Sequence, residues 1–168
     1  ILTTSKTILK DNPRFTVRKN NTIMKHLNVV VIDNKLNIPL NTKLLKNLHE
    51  KRVIIFTSKK NHKSQKLKQL GCEIIEMKSE NNKLNLKKIF THLYKLKISD
   101  VLVEAGGILF ADLINNKLVN EIHLFRAPII IGKKGIPVIH GNSLKNIKKK
   151  LLETIKFEDN LYSKYEVK

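Results

Sequence analysis

Short runs of β-branched and other apolar residues recur along this chain and alternate with segments of helical spacing. The clearest runs are residues 27–33 (Leu-Asn-Val-Val-Val-Ile-Asp) and 53–57, and shorter ones cover residues 72–76 and 101–104. Such runs suit strands that are buried on both faces of a sheet. Strands that alternate with helices form βαβ crossovers, so the sequence predicts an α/β fold with a mainly parallel sheet.

Helical spacing and capping residues place the connecting helices. One helix is predicted over residues 64–70, ending at Gly71, and an amphipathic one over residues 85–96. A third follows Gly107, and a weak apolar pattern between residues 40 and 48 suggests another. Two later strands, residues 121–126 and 162–167, lack convincing preceding helices, which predicts an antiparallel edge.

The turn formed by residues 101–107 (Val-Leu-Val-Glu-Ala-Gly-Gly) is the strongest functional signal. A buried strand delivers Glu104 to its carboxyl end, where ligands of open α/β sheets bind. Gly106 and Gly107 then open a helix, whose free N–H groups and dipole favour an anion. Two alternatives stay open: the glycines serve only the geometry of a tight turn, and Glu104 only pairs with a lysine.

Residues 7–18 form a second candidate cluster. Thr7 and Asp11 are four residues apart, and Arg18 ends an extended segment. The planar guanidinium of arginine suits phosphate because it donates two parallel hydrogen bonds. Arginine is also scarce here, since only four of the 33 basic residues are arginine. The alternative is that Arg18 is ordinary surface charge.

The formal net charge of +19 is not by itself a functional signal. The lysines are scattered, and no aromatic residues are interleaved with them as stacking platforms, so a nucleic-acid surface is disfavoured. The densest run, residues 145–150, is interpreted as a solvated helix face or loop. Lysine, asparagine and isoleucine are all abundant, which is typical of drift under A/T-rich coding.

Size and cysteine content limit the class of protein further. The 168 residues suit one domain, and no apolar run reaches the length of a membrane span. The single Cys72 excludes an intramolecular disulfide, and the histidines show no metal-ligand spacing. With no secretory signal at the start, a cytoplasmic protein without a metal is expected.

Five segments together resemble the reductase domain of the bifunctional riboflavin-biosynthesis deaminase/reductases. They are residues 1–18, 29–33, 101–107, 118–121 and 127–132, in that order. The resemblance implies a dihydrofolate-reductase-like three-layer α/β sandwich. It also implies NADPH-dependent reduction of 5-amino-6-(5-phosphoribosylamino)uracil to the ribitylamino compound.

The resemblance also assigns site residues. Those implied for NADPH are Thr7, Asp11, Asn34, Gly106, Gly107, Ile108, Leu109, Phe110, Ala111 and Asp112. Those implied for the substrate are Phe15, Arg18 and Glu104, with Arg18 near the phosphate. Asn34 departs from the small hydroxyl residue usual in the family, and Phe15 departs from leucine.

Members of this family begin upstream of the segment that matches Ile1. Residues 1–168 are therefore expected to be a single reductase domain that lacks its N-terminal strand and helix, with weak activity or none in isolation. The alternatives are an inactive or assembly-only remnant and, less favoured, a basic nucleic-acid-binding α/β domain. A homodimer, and a deaminase partner or fused deaminase domain, are further implications of the resemblance.

Overall fold

The computed structural model describes residues 1–140 and 147–168. The chain divides into two compact units, Ile1–Ala105 and Gly106–Lys168. The strands of the first unit are β1 (Leu2–Thr4), β2 (Thr16–Lys19), β3 (Thr22–His26), β4 (Val29–Ile32), β5 (Val53–Thr57), β6 (Glu73–Glu76), β7 (Ser79–Glu80) and β8 (Lys83–Leu84). Its helices are α1 (Ser5–Asp11), α2 (His62–Gln69) and α3 (Leu86–Lys95).

A four-stranded parallel sheet in the order β1-β4-β5-β6 organises the first unit. All five residues of β5 are buried, as are the first three of β4. The predicted mainly parallel sheet is therefore confirmed, and the burial of its central strands agrees with the reasoning behind the prediction. Apolar β-branched residues occupy both faces of the two central strands.

Helices cover both faces of this sheet. Val31 and Ile55 belong to a buried cluster that includes Ile8 of α1 and Leu67 of α2. Successive strand residues point to opposite faces, so Phe56 faces away from that cluster. The Phe56 ring meets His92 of α3 edge-on, with 5.7 Å between ring centroids. Helix α3 therefore packs on the opposite face from α1 and α2.

Residues 101–104 were predicted as a regular strand, which is wrong. Only Val103 pairs there, through one parallel bridge to Leu2. The Leu2 N–H donates to Leu102 O at 2.8 Å, and the Glu104 N–H donates to Leu2 O at 2.9 Å. The segment is short because its neighbour β1 has only three residues. It still runs parallel to β1, on the side of β1 away from β4.

The weak helix suggested between residues 40 and 48 is also wrong. Two 3₁₀ turns, Lys43–Leu45 and Leu48–Glu50, occupy this connection. Asn47 lies between them with a left-handed φ of 56°, which a continuous helix does not permit. The spacing of the leucines reflects single buried contacts, such as that of Leu44, rather than a helix face.

Two elements near the start were not predicted. The seven-residue helix α1 ends at Asp11, where the following Asn12 takes a left-handed φ of 41°. Strand β3 pairs with β2 as an antiparallel hairpin. Its turn, Asn20-Asn21, has positive φ at both residues, an arrangement that asparagine tolerates well.

The second unit combines one helix with antiparallel strands. Its elements are α4 (Gly107–Asn115), β9 (Glu121–Arg126), a 3₁₀ turn (Gly132–Lys134), β10 (Lys149–Phe157) and β11 (Asn160–Val167). The strand order is β10-β11-β9, and both pairings are antiparallel. These strands confirm the antiparallel part of the predicted α/β fold.

Strand β10 was not predicted, and the interpretation of the lysine run needs correction there. Residues 145 and 146 lie outside the described residues. Lys149 and Lys150, however, begin β10, so they belong to neither a helix nor a loop. Strand β10 is an edge strand with largely exposed side chains, and lysine is common on such edges because it discourages further pairing.

Residues 1–140 and 147–168 contain no candidate membrane-spanning helix. None of the helices described there is both long enough and apolar enough to cross a bilayer.

Candidate active site

Polar residues collect at the carboxyl edge of the parallel sheet in the first unit. Parallel strands end at the same edge, so Asn34 after β4, Ser58 after β5 and Glu104 lie along it. Backbone contacts fix them, because the Ser58 N–H donates to Asn34 O at 3.2 Å and the Thr3 hydroxyl donates to Glu104 O at 2.7 Å. The structure thus brings the predicted Asn34 and Glu104 to one edge.

The carboxylate of Glu104 is available to a ligand. It is exposed, and its side chain makes no hydrogen bond or salt bridge with any other residue that the structure describes; it interacts electrostatically with the amino group of Ile1. The alternative interpretation, a salt bridge to one of the lysines, is therefore not found among those residues. A free carboxylate at a strand end can accept hydrogen bonds from hydroxyl groups.

Thr7 and Asp11 lie on helix α1, which follows β1 directly. Their spacing of four residues places both on one side of the helix. Thr7 is half-buried, and its Oγ1 is 3.4 Å from Oγ1 of Thr4, the last residue of β1. Asp11 is exposed. Thr4 and Ser58 were not predicted as site residues, although they lie at strand ends, the signal that pointed to Glu104.

Asn34 uses its side chain to hold a neighbouring turn. Its Nδ2 donates to Asn82 O at 2.8 Å, in the connection between β7 and β8. Its Oδ1 is buried and has no partner among the described residues. The amide that replaces the hydroxyl residue usual in the family therefore has a structural contact, and one acceptor stays free for a donor.

The two predicted substrate residues of the β2 segment have different environments. Phe15 is 7% exposed and packs in the core cluster with Ile8 and Val29, so its side chain points into the protein. The Arg18 side chain is exposed and has no hydrogen bond or ion pair within the described part of the chain. In contrast, Arg52 makes a two-pronged contact with Glu73, at 2.8 and 3.0 Å.

The glycine turn opens helix α4 of the second unit without a side-chain cap. Gly106 is the N-cap residue, and the N–H groups of Leu109 and Phe110 donate to Gly106 O. No acidic residue occupies the first turn, although carboxylates stabilise that position in most helices. The helix start therefore keeps N–H groups and a positive dipole end for an external anion.

Gly106 and Gly107 have different reasons to be glycine. A Cβ at Gly106 would meet nothing within 4 Å. A Cβ at Gly107 would lie 2.7 Å from Val138 O and 2.8 Å from His140 N, and the His140 N–H also donates to Gly107 O at 3.2 Å. Gly107 thus serves the packing of its own chain, while Gly106 leaves the helix start open.

The remaining residues of the turn contribute mainly backbone. Leu109 and Ala111 are 8% and 3% exposed, so their side chains belong to the interior of the unit. Phe110 and Asp112 are half-buried, and Ile108 is 47% exposed. A ligand at this turn would meet the backbone of Gly106 to Ile108 and the Ile108 side chain.

We expect Gly107→Ala to destabilise the protein and Gly106→Ala to leave its stability nearly unchanged. The added methyl group at residue 107 collides with two backbone atoms, and overpacking of this kind costs about 1–3 kcal/mol. At residue 106 the change should stay within about 0.5 kcal/mol. Urea unfolding followed by circular dichroism measures both. Equal stability of the two variants would contradict the close approach of residues 137–140.

Cys72 is not a nucleophile candidate. Its side chain is only 5% exposed, and burial raises the pKa of the thiol to about 11. The reactive thiolate is therefore scarce at neutral pH. Within residues 1–140 and 147–168, no three side chains of histidine, cysteine, aspartate or glutamate are grouped so as to hold a metal ion.

Comparison with known proteins shows which protein family the chain matches. The family model described as the RibD C-terminal domain matches residues 1–162. The chain belongs to the RibD C-terminal domain family. This confirms the resemblance that the five sequence segments indicated.

Two curated relatives illustrate the similarity. Riboflavin biosynthesis protein RibD of Aquifex aeolicus is 34% identical over 133 residues, which cover 79% of this chain and 36% of that protein. A 2,5-diamino-6-ribosylamino-4(3H)-pyrimidinone 5′-phosphate reductase of the same organism is 31% identical over 153 residues, covering 88% of this chain and 65% of the relative. The chain thus spans about a third of that RibD and about two thirds of that reductase.

Solved structures show the same fold. RibD of Acinetobacter baumannii superposes with a TM-score of 0.82 at 22% identity, over 99% of this chain and 46% of that chain. The dihydrofolate-reductase-like α/β prediction is confirmed at the level of the RibD reductase fold.

Proposed function

We propose that this chain provides an NADPH-dependent reductase activity of riboflavin biosynthesis. The substrate is 5-amino-6-(5-phosphoribosylamino)uracil, and the product is the corresponding ribitylamino compound. Family membership over residues 1–162 and the reductase name of one relative support this proposal. The observation that carries it is the start of α4, which has no side-chain cap and follows Glu104 by three residues.

Each unit, taken by itself, has groups that suit part of a dinucleotide. Gly106 leaves space where any other residue would place a Cβ, and the N–H groups at the start of α4 can donate to phosphate oxygens. On the first unit, Thr7 has a hydroxyl and Asn34 has a buried, unpartnered Oδ1. NADPH would supply a hydride for the sugar C1′ of the opened, imine-like substrate.

The protein's own contribution is binding and orientation. Arg18 carries a free guanidinium for the phosphate end of the substrate, and Glu104 carries a free carboxylate for the ribose hydroxyls. Holding reactants in a productive geometry is a large catalytic effect, and hydride transfer needs no acid–base dyad from the protein.

The test is reductant consumption by the natural full-length protein. NADPH and the phosphorylated pyrimidine are supplied together, and the loss of NADPH absorbance is followed. We expect turnover only when both are present and a lower kcat/KM with NADH. The 2,5-diamino-pyrimidinone 5′-phosphate, which retains the second amino group, serves as a competing substrate. If the enzyme prefers the 2,5-diamino compound, the proposed substrate is wrong and the compound in the name of the reductase relative replaces it. If the protein does not bind NADPH, the proposed function is rejected.

We also propose self-association and a cytoplasmic location. The second unit exposes several apolar side chains, including Phe125 at 72%, Ile130 at 98% and Phe157 at 53%. A second copy of the chain would cover such a surface, so a homodimer is expected in sedimentation equilibrium. A deaminase, fused or separate, is the natural partner because it would supply the substrate. The single, reduced cysteine suits the cytoplasm.

A further inference from the structure

The β2–β3 hairpin, which carries Arg18, is attached to the rest of the first unit by few polar contacts. Residues 17–25 of the hairpin are exposed. At its base, Nε2 of His26 lies 2.7 Å from Oε2 of Glu50, in the second 3₁₀ turn. No other side-chain hydrogen bond or ion pair joins residues 16–26 to the remainder of the described chain.

Only a short stretch of the hairpin separates His26 from Arg18. Thr16 is paired directly with His26, so their side chains share a face. Arg18 follows Thr16 by two residues on β2, a separation of roughly 7 Å. The pairing register shifts between Val17 and Arg18, and such an irregularity bends a hairpin locally. The orientation of the part that carries Arg18 therefore depends on how the base of the hairpin is held at His26.

Burial indicates that Glu50 fixes the imidazole. The His26 side chain is 14% exposed, while Glu50 is 42% exposed. Nδ1 of His26 and Oγ1 of Thr16 are buried without partners among the described residues, so the Glu50 contact is the compensation for burying this polar ring. The pair lines an open surface depression of about 490 Å³ together with Met24 and Asn47.

We propose that the His26–Glu50 contact is a positioning contact that holds the hairpin so that Arg18 meets the phosphate group of the substrate. The role rests on the proposed function, since it acts through Arg18. His26 and Glu50 themselves touch neither substrate nor cofactor. They restrict the freedom of the hairpin before the substrate arrives. The entropy cost of ordering the hairpin therefore does not reduce the affinity for the substrate.

The test is a double-mutant cycle in the natural full-length protein. His26→Ala and Glu50→Ala should each raise the KM for the phosphorylated pyrimidine about tenfold, with kcat within about twofold. The KM for NADPH should stay unchanged. The double variant should resemble the single variants, because residues that act through one contact are not additive. Glu50→Gln, which keeps an acceptor, should give an intermediate KM.

His49→Ala is the matched control. His49 also approaches Glu50, at 3.5 Å, but it is 78% exposed and lies outside the hairpin, so its KM should equal that of the wild type. Hydrogen exchange should accelerate over residues 16–26 in the His26 and Glu50 variants and nowhere else. Unchanged substrate KM, or additive effects, with an active wild type overturns the positioning role alone. An inactive wild type overturns the proposed function, and this role with it.

Discussion

Arg18→Ala is expected to lower kcat/KM for the phosphorylated pyrimidine about 100-fold, almost entirely through KM. The reason is that Arg18 has no protein partner among the described residues, so its guanidinium is free to make two charge-assisted hydrogen bonds to phosphate. The phosphate is remote from the reacting carbon, and such binding is shared by ground state and transition state. Steady-state kinetics at fixed, saturating NADPH measures the effect.

Two further variants distinguish the contribution of the paired guanidinium donors of Arg18 from that of its positive charge. Arg18→Lys keeps the charge but not the planar pair of donors, so a loss of about tenfold is expected. Arg14→Ala removes an exposed arginine four residues earlier and should change KM by less than about twofold. If the Arg14 and Arg18 variants lose activity equally, the effect is one of general positive charge and the phosphate contact is wrong.

The central strands of the first unit could be predicted because their local composition is sufficient to explain why they form strands. Residues of β4 and β5 are apolar and mostly β-branched, and burial on both faces of the sheet requires nothing else. The end of α2 near Gly71 could be predicted for a similar local reason. Gly71 has a φ of 104°, which glycine adopts without strain.

Other elements depend on partners that are distant in sequence. Residues 101–104 have the composition of a strand, but the length of their pairing is set by the three-residue β1, about 100 residues earlier. The β2–β3 hairpin lies on the surface, so its strands lack the alternation that signals a buried face. Its one local sign is the Asn20-Asn21 pair at the turn.

The site shows the same division. The position of Glu104 could be predicted because it directly follows an apolar run, and residues there lie at the carboxyl edge of a sheet. Asn34, which follows Asp33, was indicated only by the family resemblance. The two explanations for Gly106-Gly107 could not be separated, since one of them depends on Val138 and His140. The tight packing explains Gly107, and the role of Gly106 in anion binding stays a prediction. The His26–Glu50 contact joins residues 24 apart and left no pattern in the sequence.

Ile108→Asp is expected to weaken NADPH binding about 100-fold, which is the largest effect available at the glycine turn. Ile108 is in the first turn of α4, is 47% exposed, and follows the two glycines directly. A carboxylate there would face the phosphates bound at the helix start, and like charges a few ångströms apart repel strongly. It would also compete for the N–H groups that the phosphates need.

Stability distinguishes this effect from damage to the fold. An aspartate near a helix N-terminus interacts favourably with the dipole, by about 0.3–1 kcal/mol, so Ile108→Asp should unfold no earlier than Ile108→Asn. Asparagine has nearly the same shape and no charge, which makes it the matched control. We expect its NADPH dissociation constant, measured by fluorescence titration, to stay within about threefold of the wild type. If both variants bind NADPH equally well, phosphate does not bind at the start of α4.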